Sequence, residues 1–173
     1  RNQFKVEMEI LRDIFNDAWS ANWGFIPFTE TEFSELGNTF RFLLRDDYIQ
    51  IAEVDGIPVA FMVLLPNLNE IFAKLNGSLF PFGWFHLIKQ LKFGQVSTAR
   101  LPLMGVRQKY QNTPLGAALA CMMIDAPREI GLSMGIREVE VSWILEDNKS
   151  MRGMIEKAGI QEYKRYRIFG KTL

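Results

Sequence analysis

Residues Tyr48 to Pro66, YIQIAEVDGIPVAFMVLLP, constrain this chain more than any other stretch. Two apolar, β-branched runs flank Asp55-Gly56, a strong two-residue turn signal. The stretch therefore predicts an antiparallel hairpin. Pro58 stands at the start of the second strand, where a missing backbone donor is tolerable.

Helical periodicity precedes the hairpin. Ile10, Leu11, Ile14, Phe15, Ala18 and Trp19 share one face of a helix over roughly residues 4–20. An aromatic loop, SANWGFIPF, follows it. Thr29 and Glu32 then form a capping box that opens a second helix, with Phe33, Leu36, Phe40, Leu43 and Leu44 as its apolar side.

After the hairpin, roughly residues 66–80 read as irregular, and Pro81 opens a helix to about Phe93 whose apolar side is Phe82, Phe85, Ile88 and Leu91. STARLPLMGV reads as a strand interrupted by Pro102. Thr113 to about Ile130 reads as a helix with Leu115, Leu119, Met122, Met123 and Ala126 on one side. Pro127 inside it costs about 3 kcal/mol if the helix continues, which predicts a kink or break near Met123. REVEVSW alternates, with Val139, Val141 and Trp143 on one face. Asn148 caps a last helix bearing Met151, Met154, Ile155 and Ala158, Gly159 ends it, and IQEYKRYRIF is the final strand. Early antiparallel strands with later ones joined through helices imply an α/β (α+β) domain with a mixed sheet covered by helices.

Composition narrows the function classes. The 173 residues suit one domain over 1–173. Lys plus Arg equals Asp plus Glu, 20 against 20, so net charge gives no reason to propose nucleic acid or an anionic membrane as partner. No apolar run reaches the ~20 residues needed to span a bilayer, and no signal peptide is visible. The single cysteine, Cys121, excludes an internal disulfide and fits a reducing, cytoplasmic setting. It falls mid-helix among Ala and Met, where a buried, inert thiol is expected. With one histidine, His86, and one cysteine, neither a metal cluster nor a Cys-His nucleophile pair is available. His86 is expected to pack or to sit at the surface.

The stretch GVRQKYQNTPLGAAL joins a strand to a helix through a polar loop. A helix N-terminus presents unbonded N–H groups and partial positive charge, which suits an anion. Thr113 is a good N-cap, and Pro114 then falls at N1, where its missing N–H would be an orphan anyway. Leu115, Gly116 and Ala117 supply the remaining donors.

In order, this strand, loop and helix, the strand at Arg137–Trp143 and the segment WILEDNKSMRGMIEKAGIQEY resemble the GNAT superfamily of N-acyltransferases. That family's loop reads Gln/Arg-x-x-Gly-x-Gly/Ala after a Val. Here Val106, Gln111 and Gly116 match, while Pro114 replaces the middle glycine. Asn148 and Gly159-Ile160 match the later segment. The specific motifs lie between about residues 103 and 160, and the layout covers nearly the whole chain.

The resemblance implies a mixed, mostly antiparallel twisted sheet with a splayed central strand pair, and acetyl-CoA or another acyl-CoA as co-substrate. On that reading Met104, Gly105 and Val106 offer backbone groups to the pantetheine arm. Gln111, Asn112, Thr113, Leu115, Gly116 and Ala117 hold the pyrophosphate, and Asn148 reaches the pantetheine. Arg107 and Lys109 are either phosphate-side charges or solvated cations. Asn22, Trp23 and Phe25 wall the acceptor side with Trp143, although Trp19, Trp23 and Phe25 also suit a packed core.

A closer likeness is to the C-terminal half of bacterial proteins with two GNAT-like halves in tandem, through LRDIFNDAWSANWGF, IAEVDGIPVAF and the SWILEDNKSMR and YKRYRIF segments. The non-Met start at Arg1 fits a missing N-terminal half, and the partner is then that half, or a second copy in a homodimer.

The chemistry departs from the family at two points. Acyl transfer to a small amine or amino-acid-like acceptor needs a deprotonated nucleophile, an oxyanion donor and a proton for the leaving thiolate. The family's tyrosine acid falls on Ile155, and no carboxylate lies on the strand at residues 97–106. Tyr166, or Tyr163, is the substitute acid and Glu146, beside Asp147, the substitute base. The alternative is a catalytically silent module that serves a tandem partner.

Overall fold

The computed structural model describes residues 2–43, 45–75, 78–93, 96–167 and 169–171. They form two compact units, Arg1–Ser142 and Trp143–Leu173. The apolar position Leu44 of the expected second helix lies outside the described residues.

In the first unit, α1 (Asn2–Trp19) and α2 (Glu30–Leu43) precede the hairpin. The capping box forms as expected: the Glu32 carboxylate accepts from the Thr29 N–H at 3.0 Å, and the Thr29 hydroxyl accepts from the Glu32 N–H at 3.3 Å. The Thr29 hydroxyl also donates to that carboxylate at 2.7 Å, and this bond, with that of the Thr29 N–H, holds the Glu32 carboxyl below its ordinary value. The hairpin is β1 (Ile49–Val54) and β2 (Ile57–Pro66), and its turn residues Asp55 and Gly56 have φ of 53° and 74°.

Next come α3 (Leu68–Lys74), α4 (Gly83–Phe93), β3 (Thr98–Val106), α5 (Pro114–Ser133) and β4 (Glu138–Val141). The sheet order is β1-β2-β3-β4. β2 is antiparallel to both its neighbours, and β4 is parallel to β3. This is the mixed, mostly antiparallel sheet that the resemblance implied. Within the parallel pair, Arg100 lies opposite Glu140 and its guanidinium donates to that carboxylate at 2.6 Å.

β2 is buried on both faces. Phe61 and Val63 join Met8, Leu11, Ile14 and Phe15 of α1 and Phe33 of α2 in the core. Strand alternation sends Ala60, Met62 and Leu64 to the opposite face. α5 packs against the sheet with a stripe of Gly116, Leu119, Ala120, Met123, Pro127 and Gly131.

Several expectations are corrected here. Residues Leu68–Lys74 are helical where an irregular stretch was expected: Asn67 caps the turn by accepting from the Asn69 N–H, and Ile71 is its buried residue. A helix this short, with one buried anchor, carries no readable period. Glu70 fixes it to the sheet. Its carboxylate accepts from the Ser97 N–H at 2.9 Å and the Thr98 N–H at 2.8 Å, and from both hydroxyls. Desolvation opposes ionisation of Glu70, but these donors outweigh it and hold the carboxyl below its ordinary value.

α5 carries through Pro127 without the expected break. Pro127 is fully buried in the stripe that meets the sheet, and that apolar burial offsets the lost backbone bond. Its inward face differs from the expected one: Leu115 and Met122 are exposed, and Cys121 is exposed rather than buried. The helix expected from Pro81 begins at Gly83; Phe82 just before it and Phe85 within it are likewise exposed, while Leu91 is buried.

The second unit holds α6 (Lys149–Lys157), capped by the Asn148 side chain, which accepts from the Met151 N–H at 3.1 Å. Gly159 follows at φ 77°. The expected last strand is absent among the described residues of 160–169, because a strand needs a neighbour for its backbone groups and none pairs with it. Trp143 lies outside β4 and is exposed.

Candidate functional site

The site begins where the parallel pair parts. β4 follows β3 only from Thr98 to Leu101, and the Ser142 N–H makes the last bond, to the Leu101 carbonyl at 3.3 Å. From Leu103 to Val106 the strand is paired on the β2 side alone. The Arg107 N–H donates to the Val59 carbonyl, so alternation turns the backbone groups of Met104 and Val106 away from β2, onto the open edge.

Both carbonyls on that edge are already used. The Trp19 indole N–H donates to Met104 at 3.1 Å, and the Gln111 side-chain amide donates to Val106 at 2.9 Å. Among the described residues, the N–H groups of Met104 and Val106 have no partner. The edge is thus a short row of backbone donors with its acceptors covered. Gly105 makes this possible: a Cβ there would stand 2.7 Å from the Phe61 ring and 3.1 Å from the Ala18 Cβ, so only glycine lets α1 come close enough for Trp19 to reach the strand.

The following loop is more tightly bonded than its sequence suggests. Gln108 donates its N–H to Asp17 at 2.8 Å and its side-chain amide to Ser20 at 2.7 Å. Gln111 also donates to the Ala18 carbonyl at 3.0 Å. The Arg107 guanidinium donates to the Asp13 carboxylate and the Pro58 carbonyl. These bonds tie the loop to α1 and engage the side-chain amide donors of Gln108 and Gln111. Lys109 lies over the Tyr110 ring and its side chain remains at the surface.

Thr113 caps α5 as expected, with Pro114 at N1. Its hydroxyl takes the Gly116 N–H at 3.0 Å and its carbonyl takes the Ala117 N–H at 3.0 Å. Among the described residues of the loop, the N–H groups of Lys109, Asn112 and Leu115 have no partner. Asn112 turns the chain at φ 59°. This donor set, at a helix N-terminus with Lys109 nearby in sequence and no carboxylate from Arg107 to Ala117, fits a pyrophosphate. Gly116 has a role the sequence did not show: a Cβ there would collide with the Tyr110 carbonyl, so the residue lets the loop fold back on the helix.

At the aromatic loop, Trp19 and Phe25 pack against Phe15, with ring centroids 4.8 Å and 5.7 Å away. Trp23 is exposed, and Asn22 closes a turn by donating its N–H to the Trp19 carbonyl. The loop is therefore half core and half open surface, beside the residue that covers Met104.

The remaining candidates belong to the second unit. Glu146 is exposed, forms an ion pair with Arg167 at 3.7 Å and accepts from Arg152 through its carbonyl. Tyr163 and Tyr166 are exposed, as is Trp143. Asn148 spends its oxygen on the α6 cap and keeps its amide donors. Ile155, where the family's tyrosine is expected, is the buried residue of α6.

Sequence reasoning missed Ser142. Its hydroxyl oxygen is buried without a partner among the described residues, at the point where β4 leaves β3. A serine on the polar face of an alternating strand gave no hint of this.

The order of elements and the parting of β3 from β4 define the class: the chain has the fold of the GNAT acetyltransferases. Solved structures agree over nearly the whole chain. A probable acetyltransferase superposes with a TM-score of 0.58 over 97% of this chain and 93% of its own, at 12% identity. The aminoglycoside N-acetyltransferase AAC(6')-Iy, in complex with CoA, gives 0.56 over 98% and 91%, at 16% identity. At such identities the likeness is one of fold. No family model matches the sequence.

Curated relatives are nearer in sequence. Protein YghO of Escherichia coli is 51% identical over 173 residues, 100% of this chain and 44% of that protein. The bacterial ceramide synthase of Caulobacter vibrioides is 41% identical over 172 residues, 99% of this chain and 45% of that protein. The chain spans less than half the length of these relatives.

Proposed function

We propose that the chain is an acyl-CoA-dependent N-acyltransferase unit. The observation that carries the reading is the open edge of β3, whose Met104 and Val106 N–H groups stand unpartnered two turns of chain before a helix N-terminus suited to a pyrophosphate. An acyl thioester lying along that edge would direct its carbonyl oxygen to these donors, which stabilise the developing oxyanion. The Asn112 and Leu115 N–H groups and Lys109 would hold the phosphates; the sequence resemblance alone assigns Asn148 to the pantetheine. The acceptor amine attacks the thioester carbonyl, the C–S bond breaks, and the thiol leaves with the proton that the amine gives up. The sequence resemblance, and not the geometry, makes Tyr166 the candidate acid, Glu146 the candidate base, and Asn22, Trp23, Phe25 and Trp143 the acceptor-side candidates.

The acceptor is an amine of one of two kinds. The structural neighbours include aminoglycoside acetyltransferases, whose acceptors are small and polar. The Caulobacter relative is a ceramide synthase, and a ceramide is the amide of a fatty acid with a long-chain amino alcohol. Identity of 41% against 16% favours the long-chain amine and a fatty-acyl donor over acetyl transfer to a small acceptor.

Calorimetry with CoA, acetyl-CoA and long-chain acyl-CoAs tests the donor side, and thiol release across a panel of small and long-chain amines tests the acceptor. Absence of binding at millimolar ligand rejects the reading. Binding without turnover supports a second one, a donor-binding module that completes a site in a longer protein. Ile155 in place of the tyrosine favours that second reading.

A further inference from the structure

We infer that the segment from Leu79 through α4 docks on the surface of an anionic lipid bilayer. Phe80, Phe82 and Phe85 are exposed by 81%, 78% and 60%, and Leu79 and Trp84 are exposed beside them. Five large apolar side chains within seven residues make a contiguous apolar projection, and scattered surface hydrophobics do not look like this. The Trp84 indole donates to the Pro81 carbonyl at 3.0 Å and its ring meets Phe85 edge-on at 6.0 Å, so the cluster is ordered at the head of the helix. Trp with Phe on a helix that also carries lysine is the composition of a segment that lies in a membrane interface.

Charge selects the occupant. The chain is neutral as a whole, but no Asp or Glu occurs from Ile71 through Ile124, while Lys74, Lys89, Lys92, Arg100, Arg107 and Lys109 all lie there. Arg100 and Arg107 are paired with Glu140 and Asp13. Lys74 and Lys89 are exposed, and Lys89 follows Phe85 by one helical turn, on the same face. An apolar projection with cations behind it and no acid along 71–124 is complementary to a bilayer whose headgroups are negative. Overall charge balance hides this, because the acidic residues are gathered elsewhere in the chain. No described helix is long and apolar enough to cross a membrane, so the association is with the surface.

The inference stands apart from the acyl-transfer reading and is tested by binding alone. The full protein is mixed with vesicles of phosphatidylcholine, or of phosphatidylcholine with phosphatidylglycerol, and sedimented. Wild type is expected to partition onto the anionic vesicles and to be released by salt. The pair Phe82→Ser with Phe85→Ser is expected to weaken partitioning by more than about tenfold, since each exposed ring would otherwise be buried in the interface. Both side chains are exposed, so the melting midpoint is expected to stay at the wild-type value. Lys89→Glu removes no packing, and is expected to lower partitioning at low salt and to matter little on neutral vesicles. Absence of partitioning onto anionic vesicles, or equal partitioning by both variants, overturns the inference. So does a wild-type assembly that the ring substitutions dissociate without any vesicle binding, which would assign the patch to a protein interface.

Discussion

The Trp19 indole N–H donates to the Met104 carbonyl at 3.1 Å, across 85 positions of sequence. This bond joins the end of α1 to the open edge of β3 and covers an acceptor on that edge. The same ring stacks on Phe15, so core packing and edge chemistry meet in one side chain.

Trp19→Phe is expected to keep the stack and lose the bond. The uncovered Met104 carbonyl should cost about 1 kcal/mol in chemical denaturation. If the edge binds the acyl group, the Kd for acyl-CoA in calorimetry should change with it. A loss of stability with unaltered affinity would separate the bond from the site.

Gly116→Ala and Ala117→Glu distinguish fold from ligand. A Cβ at 116 meets the Tyr110 backbone, so Gly116→Ala should lower stability by about 1–3 kcal/mol as the loop is forced open. Ala117 is exposed, and Glu there should leave the melting midpoint near wild type while placing negative charge at the proposed phosphate site. Calorimetry should then show acyl-CoA affinity falling at least about tenfold. Unchanged affinity of Ala117→Glu would remove the phosphate assignment.

Ser142→Ala removes a buried hydroxyl that has no partner in the described structure. With no bond to lose, stability should stay the same or rise slightly. If the hydroxyl bonds the reacting groups, kcat should fall while the melting midpoint does not. A parallel fall in both would mark it as structural.

Glu70 predicts an acid dependence. Its folded-state carboxyl lies below the ordinary value of 4.5, so its stabilisation is complete above that pH and is lost as pH falls through the lowered value. Glu70→Gln should therefore cost about 1–2 kcal/mol at neutral pH, allowing for solvent screening, and almost nothing in strong acid. Denaturant titrations at several pH values check this, and a pH-independent difference would assign the loss to packing.

Much of the fold was legible because its causes are local. Thr29 with Glu32, Asp55 with Gly56, Thr113 with Pro114, and Asn148 each fix a turn or a cap through atoms a few residues apart. Where a distant surface decides, sequence reading failed. Pro127 stays helical because the sheet covers it. Phe82 and Phe85 have helical spacing yet face outward, and Cys121 lies on the side of α5 that the sheet does not meet. Residues 160–169 read as a strand, but those described pair with no strand of the sheet.

The candidate site divides in the same way. The amino-acid order alone determined the strand, the polar loop, the capped helix and the proline at N1, since a cap and a helix dipole depend on neighbours in the chain. Tertiary structure decided which donors remain. Arg107, Gln108 and Gln111 bond to α1, Gly116 turns toward Tyr110, and Trp19 covers Met104. A polar group's availability depends on every atom within about 3 Å of it, and those atoms come from segments that periodicity and spacing do not bring together.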